Sequence, residues 1–138
     1  MKLYVAGPMT GHEYYNVHAF QKAQREWRIR GHEVETPFES NSRVWRKHHG
    51  RDFDPFTDTC EYGDPVLAEM FAEDIKTLLA SDGVVLLKGW ERSKGARAEL
   101  AVAALFNKTV FVDPGEAPYK ITVIPYYSFS LDPADETP

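Results

Sequence analysis

The glutamate at position 99 stands inside an otherwise apolar stretch, SKGARAELAVAALF, which spans residues 93–106. Helical spacing puts four apolar residues on the side of the helix that carries Glu99: Ala96, Val102, Ala103 and Phe106. Burial favours the neutral form of such an acid, whereas the helix dipole near the first turns favours the ionised form. An acid held between these effects beside a loop suits a nucleophile or a general base. The alternative is an exposed position, because an alanine-rich helix has poorly marked faces.

A second acid, Asp74, repeats this pattern on an earlier segment. Four apolar residues surround it at helical offsets: Met70, Phe71, Ile75 and Leu78. This spacing places Asp74 on or beside the packed face of a helix. Two inward acids on two helices can form an acid/base or a nucleophile/acid pair. The alternative for Asp74 is a boundary carboxylate that pairs with an arginine or a lysine.

Two glycine-containing stretches, GPMTG at 7–11 and GWERSKGA at 89–96, follow predicted strands. Ligands of an open parallel sheet bind outside the carboxyl ends of the strands, and helix N-termini offer backbone N–H groups to anions. Neither stretch matches GxGxxG or a Walker loop, which argues against dinucleotide or ATP binding. Turns of this kind can also serve packing alone.

The elements that must position these groups alternate between strand and helix. Short apolar runs predict strands at 2–6, 32–37, 83–88 and 109–113, and helical periodicity predicts helices at 16–31, 65–80 and from Ser93 onward. This alternation predicts an α/β fold in which helices cover a parallel sheet. At 138 residues the chain is expected to form a single domain, 1–138.

Residues 38–64 lack clear periodicity and are expected to form an irregular insertion loop. The stretch HHGRDFD contains possible metal ligands at His48, His49, Asp52 and Asp54. Adjacent histidines do not have the spacing of a helical zinc site, so a solvated loop is the better interpretation. The basic half of the segment can also lie over an anionic substrate. We expect residues 128–138 to be a mobile tail, although the stretch before them can add an edge strand.

Composition excludes several classes of function. The net charge of -5 argues against a dedicated nucleic-acid binder. No apolar run approaches the roughly 20 residues that span a bilayer, and MKLYVAG is too short for a secretory signal. The single cysteine, Cys60, excludes an internal disulfide and a CxxC site. We expect a cytoplasmic protein without nucleic-acid or membrane partners.

The order of these motifs resembles the nucleoside 2-deoxyribosyltransferase superfamily, most closely its small phage and bacterial members. The resemblance rests on LYVAGPMTG, on GHEV followed by a proline, on an aspartate in a mid-chain helix, and on SDGVVLLKGWERSKGARAE. It covers most of residues 3–112. It implies a flavodoxin-like or Rossmann-like α/β fold, with a parallel sheet sandwiched by helices.

The resemblance also implies roles for the acids. Glu99 matches the family's nucleophile at the anomeric carbon, and Tyr4 matches the strand tyrosine that orients it. Asp74 matches the helix aspartate that contacts the substrate and assists protonation of the leaving base. Ser93 stands where nucleoside transferases have an acid, and where the 2′-deoxynucleoside 5′-monophosphate N-hydrolases have a serine that helps to hold the phosphate.

Phosphate chemistry agrees with the serine. A carboxylate would repel a phosphate, whereas a hydroxyl and backbone N–H groups attract one. The expected substrate-binding residues are Gly7, Pro8, Met9, Thr10, Gly11, Trp90, Ser93 and Gly95. GPMTG contains no arginine, which some nucleotide hydrolases use, so Lys94 or the basic stretch at 43–51 is left to substitute. Trp90, Tyr14 and Tyr15 are candidates for stacking on the base, although Trp90 can equally be a packing residue.

We therefore expect an N-glycosidase that hydrolyses the base–sugar bond of a (deoxy)nucleoside 5′-monophosphate through a glycosyl-glutamate. Base exchange between nucleosides and a non-catalytic nucleotide-binding or sensor role are the alternatives. The reaction needs no metal and no organic cofactor, and its partner is a small-molecule nucleotide. The resemblance also implies a homo-oligomer, in which the aromatic stretch IPYYSFS, 124–130, serves an interface or a neighbour's site.

Overall fold

The computed structural model of the chain describes residues 1–61, 63–124 and 128–134. Six strands are present: β1 (Lys2–Ala6), β2 (Glu33–Glu35), β3 (Gly83–Leu86), β4 (Thr109–Val112), β5 (Pro118–Ile124) and β6 (Ser128–Pro133). The α-helices are α1 (Val17–Ile29), α2 (Pro37–His49), α3 (Pro65–Leu79) and α4 (Lys94–Leu105). None of these helices is both long and apolar enough to cross a membrane.

The strands form one sheet in the order β2-β1-β3-β4-β5-β6. The first four in this order are parallel, and β5 and β6 join antiparallel. The predicted α/β fold is confirmed, but the sheet is mixed rather than wholly parallel. The reason is the short connection from β4 to β5, since a parallel neighbour needs a crossover of a dozen residues or more.

Alternation along the central strands divides the core between the two faces of the sheet. Leu3 and Val5 of β1 face α1 and pack with Phe20 and Trp27. Tyr4 of the same strand faces α3 and α4. Helices on both faces explain why β3 is buried along its whole length, as the apolar run in the sequence indicates.

The expectation of an irregular loop over 38–64 is wrong for residues 38–49, which belong to helix α2. Thr36 and Glu39 form a capping box at its start, Pro37 occupies the first turn, and Gly50 ends it in the left-handed conformation. The buried side of α2 includes Ser40 and other polar residues, so hydrophobic periodicity does not reveal it. From Gly50 to Asp64 the described residues form no helix or strand.

The expectation of a mobile tail over 128–138 is wrong for Ser128–Pro133, which form β6 and pair with β5 from end to end. Residues 135–138 lie outside the described residues, as do 125–127 within the stretch that we expect to serve oligomerisation.

Candidate active site

Two loops meet at the carboxyl ends of β1 and β3. The Leu87 N–H donates to the Ala6 carbonyl at 2.9 Å, which ties the start of one loop to the other strand. A Cβ at Gly7 would lie 2.8 Å from the Leu87 Cβ, so only glycine permits this approach. A Cβ at Gly89 would lie 3.3 Å from Pro8. The GPMTG and GWERSKGA loops are therefore neighbours, as their positions after adjacent strands indicate.

Glu99 points inward from α4 and is only 5% exposed. This excludes the alternative that it occupies a surface position of an alanine-rich helix. Burial raises the pKa of Glu99 to about 7, and the nearby Tyr4 hydroxyl opposes that rise. The Oε2 atom is buried and has no hydrogen-bond partner among the described residues. Among the described residues, burial and Tyr4 are what shifts the pKa of this carboxyl group, and no cation contributes.

Tyr4 brings its hydroxyl from β1 to the same place and is completely buried. Burial raises the pKa of Tyr4 well above its ordinary value, and the charges of Glu99 and Asp74 raise it further. The hydroxyl nevertheless lacks a hydrogen bond of normal geometry within the described part of the chain. Tyr4 and Glu99 are thus apposed closely enough to interact, but the hydrogen bond between them is not fully formed.

Asp74 is the third member of this group and is 8% exposed on α3. Burial raises its pKa well above the ordinary value, and the charge of Glu99 adds to the rise. Ser40 donates a hydrogen bond to its Oδ1 and opposes the rise. Asp74 has no ion-pair partner among the described residues, so the alternative of an aspartate paired with a cation is not supported. The structure thus brings Tyr4, Asp74 and Glu99 together.

Arg43 of α2 forms its ion pairs with residues other than Asp74. It bridges Glu35 at the end of β2 and Glu73 of α3, the latter at 2.9 Å, and donates to Thr77 at 2.7 Å. This network joins α2 to α3 and fixes the helix that carries Ser40. Its charge reaches Asp74 only at longer range, where it lowers the pKa slightly against the effect of burial.

The other cations of the basic stretch also have acidic partners. Arg46 pairs with Asp52 at 2.8 Å, Lys47 with Glu69 at 3.6 Å, and Arg51 with Asp58 at 2.6 Å. These contacts disfavour the stretch as a phosphate-binding surface and leave Lys94, which is exposed beside Ser93 at the start of α4.

Ser93 is the N-cap of α4, and its hydroxyl oxygen accepts a hydrogen bond from the Ala96 N–H at 3.2 Å. The hydroxyl hydrogen makes no contact within the described chain. Gly95 is exposed, and a Cβ built on it meets nothing within 4 Å, so internal packing does not require a glycine there. Thr10 and Gly11 are exposed, Pro8 is buried, and Met9 packs towards α1.

The aromatic candidates for base stacking have different surroundings. Trp90 is 9% exposed and belongs to the core cluster of Tyr4 and Leu100. Packing therefore accounts for Trp90, and its stacking role stays a prediction. Tyr14, Tyr15 and Asn16 all have positive φ, which costs about 1 kcal/mol or more per residue. This left-handed turn is held to the GPMTG loop because the Asn16 amide donates to the Pro8 carbonyl at 3.0 Å.

Two open cavities lie away from the acids. One of about 640 Å³ is a groove between α1, α2 and residues 52–56, and one of about 360 Å³ lies at the β2 edge. Neither is lined by Tyr4, Asp74 or Glu99. The acids therefore lie under side chains and loops of the chain and not on the floor of either cavity.

Sequence reasoning missed the contribution of α2 to this site. Besides Ser40, the helix places Asn41 and Trp45 in the interior, and Asn41 Oδ1 and Trp45 Nε1 lack partners among the described residues. The readable signal was the T-x-x-E pattern at Thr36–Glu39 with a proline at the first helical position. No group of three potential metal ligands occurs in the part of the chain described.

Comparison with known proteins places the chain in a family. Residues 1–112 match the family described as "Domain of unknown function (DUF4406)", and the chain belongs to it. No curated protein matches the sequence. Among solved structures, a 2-deoxyribosyltransferase from Bacillus psychrosaccharolyticus is similar, with a TM-score of 0.55 and 21% identity over 81% of this chain and 71% of that one. At this identity the likeness shows a shared fold.

Proposed function

We propose that this member of the DUF4406 family is an N-glycosidase that hydrolyses the base–sugar bond of a (deoxy)nucleoside 5′-monophosphate. The observation that carries the proposal is the buried Glu99 carboxyl, which has the Tyr4 hydroxyl beside it and no neutralising cation in the part of the chain that the structure describes. A stable fold gains nothing from such a group, because a buried charge without a partner is costly. A cationic, oxocarbenium-like transition state supplies the missing positive charge.

Burial raises the pKa of both acids of the site. The pKa of Glu99 is about 7, so a substantial fraction is ionised at neutral pH. The pKa of Asp74 is raised well above its ordinary value, and the charge of Glu99 contributes to that rise. Two neighbouring acids that interact in this way lose their protons in two steps, so one can act as the nucleophile while the other keeps a proton for the base.

In the first step a Glu99 oxygen forms a bond to the anomeric carbon while the bond from that carbon to the base nitrogen breaks. The electron pair of the broken bond leaves with the base, and the Asp74 carboxyl gives that base a proton. The Tyr4 hydroxyl keeps the Glu99 carboxylate in position for the attack. The product is a glycosyl ester of Glu99 and a neutral free base.

In the second step water attacks the anomeric carbon and displaces the Glu99 carboxylate. The ionised Asp74 accepts the proton of that water, so both acids return to their starting states. Free base and sugar phosphate are the products. None of these steps uses a metal or an organic cofactor.

Ser93 favours a phosphorylated substrate. Its side chain carries no charge that would repel a phosphate, and its hydroxyl hydrogen is free to donate. The first backbone N–H groups of α4 also favour an anion, and Gly95 leaves room for its close approach. We assign the remaining contacts to the GPMTG loop, Gly7–Gly11, and to Lys94.

Base exchange is the second candidate function, and the fold shared with a 2-deoxyribosyltransferase favours it. In that reaction a second base, rather than water, resolves the glycosyl ester. A homo-oligomer remains our expectation for either activity.

The test is to incubate the protein with a panel of deoxyribo- and ribonucleoside 5′-monophosphates, including modified pyrimidines, and to measure released base by chromatography. The matching nucleosides without phosphate are the controls for phosphate recognition. We expect base release, unchanged by a chelator, with kcat/KM at least tenfold higher for the monophosphate. New nucleoside on addition of a second base would indicate exchange. Nucleotide binding without release would indicate a sensor, and absence of release from every substrate would refute the enzyme proposal.

A further inference from the structure

Ser40 lies at the contact between α2 and the acids. It is completely buried, one turn after the capping box that starts the helix. Its Oγ lies within hydrogen-bond distance of two acceptors, the Asp74 Oδ1 and the Pro37 carbonyl, the latter at 3.2 Å. The contact with Pro37 is maintained by the helix itself, because Pro37 precedes Ser40 by three residues. The contact with Asp74 depends on the packing of α2 against α3.

A serine hydroxyl has one hydrogen and two lone pairs. It can therefore donate to only one of these two acceptors at a time. If Asp74 is ionised, the hydrogen belongs on the line to its Oδ1, where a charge-assisted bond is stronger than a neutral one. If Asp74 is protonated, its own hydrogen can be donated to the Ser40 oxygen, and the serine hydrogen turns to the Pro37 carbonyl. Both states are satisfied without movement of any heavy atom.

We propose that Ser40 is a positioning residue that lets Asp74 release and regain a proton in place. The proposal rests on the function proposed above, in which Asp74 is the acid for the leaving base. When Asp74 gives its proton to the base, the hydroxyl hydrogen of Ser40 rotates from Pro37 to Asp74. When Asp74 regains a proton from the attacking water, the rotation reverses. The serine supplies no proton of its own and needs no contact with substrate.

Among the described residues, four ionisable side chains besides Ser40 face this pair of acids or act on Asp74. Glu99 of α4 and Glu73 of α3 raise its pKa, and Arg43 of α2 lowers it. Tyr4 of β1 completes the set that faces the acids, since the charge of Asp74 raises its pKa. Arg43 and Glu73 are paired with each other. Ser40 differs from these groups because its hydroxyl lies within hydrogen-bond distance of both Asp74 and a second acceptor, the Pro37 carbonyl.

The test is the variant Ser40→Ala, which removes the hydroxyl with almost no change in volume. The pKa of Asp74 is measured from the carboxyl-carbon NMR signal of selectively labelled protein, assigned by its absence in Asp74→Asn. We expect an upward shift of about 1 unit, since the carboxylate loses more than the carboxylic acid does. The alkaline limb of the kcat profile for base release is expected to move up by the same amount, and kcat to fall more than KM changes. Ser40→Thr, which retains a hydroxyl, is expected to restore the wild-type profile.

Ser81→Ala is the matched control. Ser81 is 1% exposed, and its hydroxyl donates to the Thr77 carbonyl at 2.8 Å. This variant therefore removes a buried hydroxyl that does not bond to Asp74. An Asp74 pKa that is equal in wild type and Ser40→Ala, or that moves equally in Ser81→Ala, would overturn the proposal. The NMR titration needs no substrate. If wild type releases no base but the Asp74 pKa shifts as expected, the proposed function fails while the effect of Ser40 on Asp74 stands.

Discussion

Asp58 and Glu99 are carboxyl groups of one chain that the fold treats in opposite ways. Asp58 accepts two hydrogen bonds from Arg51, at 2.6 and 2.7 Å, and one from the Asp54 N–H at 2.7 Å. These contacts, with Arg51 foremost, hold its pKa at about 2. Within residues 1–61, 63–124 and 128–134, Glu99 has an unpaired oxygen and no neutralising cation, and burial raises its pKa to about 7.

In the proposed function, this difference distinguishes an acid that organises a loop from an acid that takes part in the reaction. Asp58 accepts hydrogen bonds from Arg51 and Asp54, and these contacts tie residues 51–58 together. Glu99 Oε2 and the Tyr4 hydroxyl lack hydrogen-bond partners among the described residues, although nearly all buried polar atoms in proteins have one. We propose that the bound substrate supplies the missing partner of Glu99.

The largest expected effect is on turnover, and it concerns these two acids directly. Glu99→Gln keeps the shape of the side chain and removes the nucleophile, so base release is expected to fall by on the order of 10³-fold or more. Asp58→Asn, the control at the neutralised site, is expected to stay within a few-fold of wild type. Chromatographic measurement of kcat for both variants checks this. Unchanged turnover in Glu99→Gln would show that the buried acid is not the nucleophile.

Substitution of Asp74, the second acid of the site, should lower turnover as substitution of Glu99 does, and unlike substitution of Asp58. Asp74→Asn cannot donate its proton to the base, so kcat is expected to fall by about 10²–10⁴-fold. The loss should shrink for a substrate whose base leaves readily without protonation. Comparison of kcat for good and poor leaving groups in wild type and variant measures this. An equal loss for both would assign Asp74 to binding or folding instead of proton transfer.

A third expectation concerns stability. As pH rises, Glu99 should lower the free energy of unfolding, whereas Asp58 should raise it. The pKa of Glu99 is about 7 in the fold and 4.5 as its ordinary value, so the unfolded chain ionises first and stability is lost as pH rises through this window. The loss amounts to about 3 kcal/mol and is absent from Glu99→Gln. Urea titrations of both proteins at pH 4.5, 6 and 8 measure it. A constant difference in unfolding free energy across these values would contradict the raised pKa.

The smallest effect is expected from the neutralised pair itself. Arg51→Gln removes the main cause of the low pKa of Asp58, so that pKa should rise from about 2 towards its ordinary 3.8. Because the contribution of Asp58 is present above the ordinary pKa and lost as pH falls through about 2, the variant should lower Tm slightly at neutral pH and not at the acid end. Carboxyl NMR and thermal melts at both pH values test this. A large loss of base release would mean that Arg51 acts on the site.

Much of this site could be predicted from local patterns. Helical spacing placed Glu99 and Asp74 on packed faces, and the structure confirms that both are buried. The order of strands and helices predicted the sheet and put the two loops at one edge. These predictions succeed because burial of apolar side chains at a fixed period decides which face of a helix points inward.

The rest depends on contacts between segments that have no period. Helix α2 buries Ser40, Asn41 and Ser42, which in sequence are typical of an exposed segment. Arg43 suggests a free basic surface, but the fold commits it to Glu35 and Glu73. The antiparallel addition of β5 depends on the length of the preceding turn. Such pairings are decided by which segments become neighbours, and this cannot be read from either partner alone.

The contact between Gly7 and Leu87 sets the gap between the two loops at the site. Because a Cβ at position 7 would lie 2.8 Å from the Leu87 Cβ, any side chain there must push the ends of β1 and β3 apart or displace that leucine. We therefore expect position 7 to accept a larger residue only where position 87 carries a smaller one. The variant Gly7→Ala with Leu87 unchanged should widen the spacing between the two loops.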